Sequence, residues 1–147
     1  MEIERKYLLK KLPEDLDTYP HRHLEQGYLC TAPVVRVRKD DDKYELTYKS
    51  AGLMVREEYN LPLNAESFEH LKKKIDGILI KKCRYLIPYG EKYTIELDVF
   101  EGELAPLQLA EVEFETEEEA NAFQPPEWFG EDVTFSTKYH NSTLSQA

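Results

Sequence analysis

The first residues of the chain, Glu2-Ile3-Glu4-Arg5-Lys6, carry two carboxylates and one ammonium group at alternate positions. Side chains of a β-strand alternate between its two faces, so Glu2, Glu4 and Lys6 share one face if this segment is a strand. Carboxylates gathered in this way can bind a divalent cation. The alternative is a solvated strand at the protein surface, and this segment alone does not exclude it.

The same spacing of like charges, at positions i and i+2, recurs in four later segments. These are Arg36-Val37-Arg38, Lys82-Cys83-Arg84, Glu96-Leu97-Asp98 and Glu111-Val112-Glu113. Like charges on one face repel, and an ordinary surface mixes the two signs. Here the acids lie on the first and last charged segments and the bases lie between them. The charged faces are therefore expected to point inward, with a polyanion against the bases and divalent cations against the acids.

The segments that position these residues alternate in polarity with a period of two. Including the first, eight strands are predicted, the others being His23–Leu29, Val34–Lys39, Tyr44–Lys49, Met54–Leu61, Ile78–Ile87, Tyr93–Phe100 and Leu109–Glu115. Helices are predicted at Leu12–Leu16, from an N-cap at Asn64 to Gly77, at Thr116–Phe123, and in the tail after Thr134. This pattern indicates a mainly β (α+β) fold, a closed eight-stranded antiparallel β-barrel with a few covering helices. The apolar outer faces must be covered by these helices or by a partner subunit, which leaves a homodimer open.

The length of 147 residues predicts one domain, residues 1–147. A formal net charge of −10 disfavours nucleic acid as a partner but allows a small polyanion in a local basic channel. No apolar run is long enough to span a membrane and no signal peptide is recognisable, so a cytoplasmic location is expected. Cys30 and Cys83 are interpreted as two lone thiols, and neither has the spacing of a zinc site.

Taken in order, these charged motifs resemble those of the CYTH family, the triphosphate tunnel metalloenzymes. The resemblance rests on Glu2-x-Glu4-x-Lys6, Arg36-x-Arg38, Lys49, Lys82-x-Arg84, Glu96-x-Asp98 and Glu111-x-Glu113, and it extends from Glu2 to about Asn141. It implies an eight-stranded antiparallel barrel whose lumen binds a triphosphate between basic side chains and divalent metal ions.

The resemblance also implies a role for each charged residue. The metal ligands, for Mg²⁺ or Mn²⁺, would be Glu2, Glu4, Asp98, Glu111 and Glu113, with Glu96 as a further candidate. The groups that hold phosphate oxygens would be Lys6, Arg36, Arg38, Lys49, Arg56, Arg84 and Lys138, together with Lys82. For each base the alternative role is an ion pair with a neighbouring acid, which is expected for Arg56 in the unliganded protein.

The chain departs from the family pattern of acids at two places. Asn60 and the segment Phe135-Ser136-Thr137 stand where an acid is expected, so the number of carboxylates in the tunnel stays open. The tryptophan that cradles thiamine in mammalian thiamine triphosphatases has no counterpart. Trp128 follows a proline-rich loop and is expected to serve in packing.

Two routes to an activated water are left open. One is a second metal ion, which acidifies bound water. The other is general-base catalysis by Tyr28, with the ammonium group of Lys82 lowering the pKa of the tyrosine hydroxyl. The resemblance to small members of the family implies such a tyrosine–lysine pair. Tyr28 packing in the barrel wall is the alternative to this second route.

The function predicted is metal-dependent hydrolysis of a small polyanionic substrate, inorganic tripolyphosphate, to diphosphate and phosphate. The alternatives are a nucleoside or thiamine triphosphatase, a class IV adenylate cyclase, and a non-catalytic protein that binds polyphosphate or nucleotide. Gathered carboxylates beside a phosphate site favour an enzyme, because they repel the ligand unless a metal ion intervenes.

Overall fold

The computed structural model describes residues 1–147, and its dominant feature is one antiparallel sheet. The ten strands are β1 (Glu2–Leu9), β2 (His21–Thr31), β3 (Val34–Asp40), β4 (Lys43–Lys49), β5 (Val55–Arg56), β6 (Glu58–Leu63), β7 (Asp76–Tyr89), β8 (Tyr93–Phe100), β9 (Gln108–Glu113) and β10 (Phe129–Asp132). All eight predicted strands are present, and β8 has the predicted bounds. The predicted strand Met54–Leu61 is divided into β5 and β6, and β10 lies where a loop was expected.

Helices are few and short. They are α1 (Ala65–Lys72), α2 (Glu117–Ala122) and α3 (Asn141–Leu144), with 3₁₀ turns at Leu16–Thr18, Gly102–Leu104 and Thr137–Tyr139. Asn64 caps α1 as predicted, because its side chain accepts a hydrogen bond from Ser67 N. The prediction that this helix reaches Gly77 is wrong, since β7 already begins at Asp76. No helix has the length and hydropathy that crossing a bilayer requires.

The strands form a nearly closed barrel. Their order is β10-β1-β9-β8-β7-β2-β3-β4-β6, and β5 returns to pair with β1. Glu2 pairs with Arg56 and Ile3 with Val55, which closes the ring at this end of β1. At the other end of β1, β10 occupies the same edge, where Tyr7 pairs with Asp132. β5 and β6 follow each other and together occupy one position in the ring, and β10 lies outside it. The ring therefore has eight strand positions, as the sequence predicts.

The outward faces of β1, β8 and β9 hold the main apolar core. Ile95, Leu97 and Val112 are fully buried there, in one cluster with Ala120 and Phe123. Ala120 belongs to α2, so a helix of the same chain covers this face. This confirms that the apolar residues of these strands lie outside the lumen, beneath a helix. Trp128 packs against the same cluster, with its ring centroid 4.8 Å from that of Phe129.

A second apolar cluster closes one part of the interior. It consists of Tyr28, Val34, Ile80, Phe100, Leu109 and Val133. Phe100 and Leu109 share strand faces with Asp98 and Glu111, so this cluster continues the same inward surface. Leu144 of α3 packs against it. The interior is therefore charged in one part and apolar in the other.

The C-terminal segment is held against this end of the barrel by the turn that begins β7. Ile78 N donates a hydrogen bond of 2.7 Å to Ser145 O. Gly77 has φ +70°, and a Cβ atom there would lie 2.0 Å from the same Ser145 oxygen. Only glycine adopts this conformation without strain and leaves room for α3. Gly77 thus positions His140, Asn141 and Ser142, which precede the contact.

Candidate active site

The charged part of the interior is a cavity of about 190 Å³. Twenty residues line it, and only two of these, Tyr28 and Val34, are counted as hydrophobic. The inward positions of β1, β3, β4, β7, β8 and β9 supply most of the remainder, because strand alternation places every second side chain on the lumen face. Such a surface suits a small, highly charged ligand.

The structure brings together most of the residues that the sequence pointed to. Those lining the cavity are Glu2, Glu4, Lys6, Tyr28, Arg36, Arg38, Lys49, Arg56, Arg84, Glu96, Glu111 and Glu113. Lys82 and Asp98 lie behind the wall instead, both fully buried. Lys138 is exposed on the outside, with its ammonium nitrogen 5.3 Å from the ring centroid of Tyr139. Lys138 is thus not among the residues that line the cavity, and its contact with substrate stays a prediction.

In the cavity wall and directly behind it, β1, β7, β8 and β9 are joined by a chain of ion pairs, which we call the buried ion network. Asp98 accepts hydrogen bonds from Arg84 at 2.8 and 2.9 Å and lies 2.7 Å from Lys82 Nζ. Glu111 lies 3.4 Å from Lys6 Nζ and 3.5 Å from Arg84 Nη2. Burial alone would raise the pKa of both acids, but Arg84 and Lys82 hold that of Asp98 below its ordinary value, and Lys6 and Arg84 hold that of Glu111 well below it.

This network includes two of the expected metal ligands. Glu111 has two basic partners, Lys6 and Arg84. Both oxygens of Asp98 contact Arg84 or Lys82, and a metal-binding role for Asp98 stays a prediction. The amino-acid sequence alone could not show these ion pairs, because the partners come from strands that are distant in the chain.

The structure also does not form the expected pair of Tyr28 and Lys82. Lys82 Nζ is engaged with Asp98, and no hydrogen bond joins it to Tyr28. Burial, only partly offset by Asp98, lowers the pKa of Lys82 to about 8. Tyr28 lines the cavity at its border with the apolar cluster. The cation that interacts with Tyr28 is Lys6, whose pKa is raised against burial by Glu111, Glu4 and Tyr28.

A second set of ion pairs lies at the closure of the barrel. Lys49 Nζ is 3.0 Å from Glu2 Oε2 and 3.5 Å from Glu58, and Arg56 is 3.7 Å from Glu2. Arg56 is thus in an ion pair in the unliganded protein, as expected. Glu2 and Arg56 are also register partners of β1 and β5, so these pairs link the strands that close the ring.

Glu4, Glu45 and Glu113 line the cavity without an ion-pair partner, and we call the two that lie together, Glu4 and Glu113, the unpaired carboxylates. They are register partners on β1 and β9, and with Glu2 they bring three carboxylate oxygens within 4.8 Å of one another. Burial and repulsion by Glu111 and Glu2 raise the pKa of Glu4 to about 8. Burial and repulsion by Glu96 and Glu2 raise that of Glu113 to about 7. This uncompensated negative charge, on hard oxygen donors, fits a divalent cation such as Mg²⁺ or Mn²⁺.

Two guanidinium groups on β3 have no carboxylate partner, and we call Arg36 and Arg38 the unpaired arginines. Arg38 donates two hydrogen bonds to Gln26 Oε1, at 2.9 and 2.7 Å, and Arg36 donates one to Thr47 at 3.1 Å. Burial, with repulsion from Arg36 and Arg84, lowers the pKa of Arg38 to about 9. In the ring, β3 lies opposite β9, with three strand positions between them on either side. The unpaired arginines therefore face the wall that carries the unpaired carboxylates.

Several cavity residues were not predicted. They are Arg22, Glu45, Glu58, Asn60, His140, Asn141 and Ser142. Strand parity could have found Arg22, which alternates with Leu24, Gln26 and Tyr28, but the predicted strand began one residue after it. No signal in the sequence placed the 140–142 segment at the cavity, since that depends on the anchoring of α3. Burial and the nearby Lys6 and Arg56 lower the pKa of His140 to about 4, so it is neutral at pH 7.

Comparison with known proteins places this architecture in a family. The model of the CYTH domain matches residues 1–147, the whole chain. This chain belongs to the CYTH domain family. The resemblance read from the ordered charge motifs is thereby confirmed.

Two curated relatives are similar to this CYTH chain in sequence, and one solved structure is similar to it in fold. It is 41% identical to an inorganic triphosphatase of Nitrosomonas europaea over 148 residues, covering 98% of this chain and 96% of the relative. It is 39% identical to an inorganic triphosphatase of Acetivibrio thermocellus over 124 residues, covering 81% and 77%. A crystal structure of an inorganic triphosphatase superposes with a TM-score of 0.75 at 38% identity, covering 100% of this chain and 95% of the other.

Proposed function

We propose that this CYTH chain hydrolyses inorganic tripolyphosphate to diphosphate and phosphate with the help of a divalent cation. The proposal depends on one observation: unpaired carboxylates and unpaired arginines face each other across one cavity. Glu4 and Glu113 on one wall lack a cation, and Arg36 and Arg38 on the facing wall lack an anion. A triphosphate with a divalent cation supplies both missing charges at once. Relatives named inorganic triphosphatase support the same activity.

The residues that would hold the cation are Glu2, Glu4 and Glu113, whose oxygens converge. A bound Mg²⁺ or Mn²⁺ supplies positive charge that offsets the phosphate oxygens and makes attack by water easier. Glu111, which is the register partner of Lys6 on β1, stays paired with Lys6 and Arg84 and adds negative charge nearby. Phosphoryl transfer needs little beyond such positioning and charge stabilisation.

The basic side chains would bind the phosphate chain. Arg36 and Arg38 have guanidinium forks that match phosphate oxygens in bidentate geometry. Their present partners, Thr47 and Gln26, are neutral, so an incoming phosphate meets arginines whose charge is not neutralised. Lys49 and Arg56 are already paired with Glu2. They would exchange or share that partner as substrate and cation enter.

Tyr28 remains our candidate for the general base, with Lys6 in place of Lys82 as the cation in the same cavity. Lys6 is held by Glu111 and by a hydrogen bond of 3.1 Å to Tyr139 O, which keeps its ammonium group at the cavity. Tyr28→Phe would remove the base and keep the ring. We expect a lower kcat and loss of the rise in activity with pH that ionisation of a general base produces. An unchanged pH profile would exclude Tyr28 as the base. The remaining route would then be attack by a water molecule that the cation activates.

The lining of the cavity favours tripolyphosphate over nucleotides and thiamine triphosphate. Tyr28 is the only aromatic residue among the lining residues. Trp128 packs against the main apolar core on the outer face, so it cannot stack on a base or a thiazole ring from the lumen. Little in the cavity would therefore stabilise an organic group attached to the triphosphate.

The test is an assay of phosphate release from tripolyphosphate, ATP, GTP and thiamine triphosphate with Mg²⁺ or Mn²⁺. We expect the highest kcat/KM with tripolyphosphate and complete loss of release with a chelator. Tight binding without turnover under either cation would make the protein a carrier. Cyclic AMP as the main product from ATP would make it a cyclase.

A further inference from the structure

On the outer face of the barrel, a second group of metal-ligand side chains gathers where β2 pairs with β7. His21 and His23 on β2 and Cys83 on β7 bring their donor atoms within 4.8 Å of one another. His23 and Cys83 are direct register partners, and His21 is opposite Tyr85. The intervening partners, Arg22 and Arg84, point the other way and line the cavity. The cluster is thus on the opposite side of the wall from the carboxylates.

The local structure holds two of the three residues for ligation. The backbone of His23 is fixed by two contacts with Asp41, since His23 N donates to Asp41 Oδ1 and Asp41 N donates to His23 O, each at 2.9 Å. His21 Nδ1 lies 3.4 Å from Tyr19 O. A carbonyl in that position favours the proton on Nδ1 and leaves the lone pair of Nε2 free for a metal.

The donor set selects the kind of ion. Two imidazoles and one thiolate suit Zn²⁺ and similar transition-metal ions, whereas Mg²⁺ prefers oxygen. Bond lengths of about 2.0 Å to nitrogen and about 2.3 Å to sulfur require donors roughly 3.3–3.6 Å apart in a tetrahedral site. The exposed imidazoles would therefore move inward by about 1 Å, which side-chain rotation allows. Cys83 is a free thiol and is 9% exposed, so it offers sulfur from the floor of the group.

We propose that His21, His23 and Cys83 form a second metal site on the outer face, for Zn²⁺ or a related divalent transition-metal ion. Three protein ligands leave a fourth position open to solvent. The ion joins β2 to β7 directly behind Arg22 and Arg84. It therefore fixes the spacing of the two strands that carry those cavity residues.

Cobalt is the probe that separates this site from the carboxylates. Co²⁺ is titrated into the intact chain in the presence of excess Mg²⁺, and the thiolate-to-cobalt charge-transfer absorption is recorded. Carboxylate ligands give no such band. We expect one Co²⁺ per chain to produce the band, and added Zn²⁺ to remove it by displacement.

Four variants complete the test. Cys83→Ser should abolish the band, and His21→Gln and His23→Gln should each weaken Co²⁺ binding at least about tenfold. Cys30→Ser is the matched control, because Cys30 is the other free cysteine and lies outside the cluster; it should keep the band. The histidine variants change exposed side chains, so the test stands even if Cys83→Ser folds poorly. A wild-type protein without the band, or a band that persists in both histidine variants at unchanged affinity, would overturn the proposal.

Discussion

The buried ion network and the unpaired charges of the cavity differ in how the protein neutralises them. In the network, Asp98 takes contacts from both Arg84 and Lys82, and every member has an opposite charge within ion-pair distance. In the cavity, Glu4 and Glu113 face no cation, and Arg36 and Arg38 have only neutral partners. Both groups show the same i, i+2 spacing in the sequence, and on β9 one member of each, Glu111 and Glu113, occurs in a single motif.

Burial does not explain the difference, because the unpaired Arg36 is 3% exposed whereas the paired Lys6 and Arg84 are each 6% exposed. A buried charge without a partner is costly. The unpaired charges therefore lower stability, and a bound ligand would offset that cost. The network therefore supports the wall, and the unmatched charges mark where ligands bind. Four substitutions or conditions test this division, from the largest expected effect to the smallest.

The largest effect is expected from Asp98→Asn, which leaves Lys82 without its anionic partner in a fully buried place. Breaking a buried pair by removing one partner costs about 3–5 kcal/mol of unfolding free energy. Denaturant unfolding monitored by circular dichroism measures it. The matched control is Glu119→Gln, which breaks the surface ion pair with Lys92 and should change stability little. Equal stability of the two variants would mean that the network does not support the wall.

Glu113→Gln should separate activity from stability. It keeps the shape of the side chain and removes one of the unpaired carboxylates, so turnover of tripolyphosphate should fall by about 100- to 1000-fold. The free energy of unfolding should stay equal or rise, because repulsion with Glu2 and Glu96 is relieved. Steady-state phosphate release and denaturant unfolding are the two measurements. Full activity at saturating Mg²⁺ would contradict a ligand role for Glu113.

Arg38→Lys tests the unpaired arginines. Lysine keeps the positive charge but loses the bidentate fork, so kcat/KM for tripolyphosphate should fall about tenfold, mainly through KM. Lys39→Arg is the control, because its side chain alternates to the outer face of the same strand. An equal loss in both variants would indicate a general effect on β3 and not a contact with substrate.

The smallest effect concerns pH and the metal-free protein. Glu4 and Glu113 have folded-state pKa values of about 8 and about 7, above those of an unfolded chain. Between about pH 5 and pH 8 these two carboxylates bind more protons in the folded state, so their contribution to stability falls as pH rises. His140, with a folded-state pKa of about 4, contributes in the opposite direction below about pH 6.5. Glu113 is exposed, and solvent screening keeps its share small.

Thermal unfolding across this pH range measures the slope. In Glu113→Gln the slope should be shallower than in the wild-type protein, because one of the two carboxylates no longer titrates. Mg²⁺ should also flatten it, since a cation stabilises the ionised carboxylates. A stability that rises with pH from 5 to 8 in the metal-free protein would show that these carboxylates do not govern this window.

Much of this molecule is predictable from local pattern. Alternation with period two defined the strands, placed Ile95 and Leu97 outside and Arg36 and Glu111 inside, and indicated a barrel. These properties depend on single strands, whose two faces are fixed by backbone geometry. Bounds were less accurate where a chain segment bends, as at Glu57 between β5 and β6.

Pairing was beyond reach of the sequence. The register of β1, β7, β8 and β9 decides which charges meet. It brings Glu111 to Lys6 and Arg84, and it brings Lys82 to Asp98 and not to Tyr28. The zinc-type cluster shows the same limit. Cys83 lacked any local partner in the sequence, and only the pairing of β2 with β7 brings it beside His23.

The sequence by itself therefore determined which residue types face the interior, since the alternation of each strand is a local property. The tertiary structure alone decided which of those charges are neutralised and which remain available. Neutralisation requires opposite charges a few ångströms apart in space, and residues as far apart in sequence as Lys6 and Glu111 reach that distance only because β1 and β9 pair in the sheet.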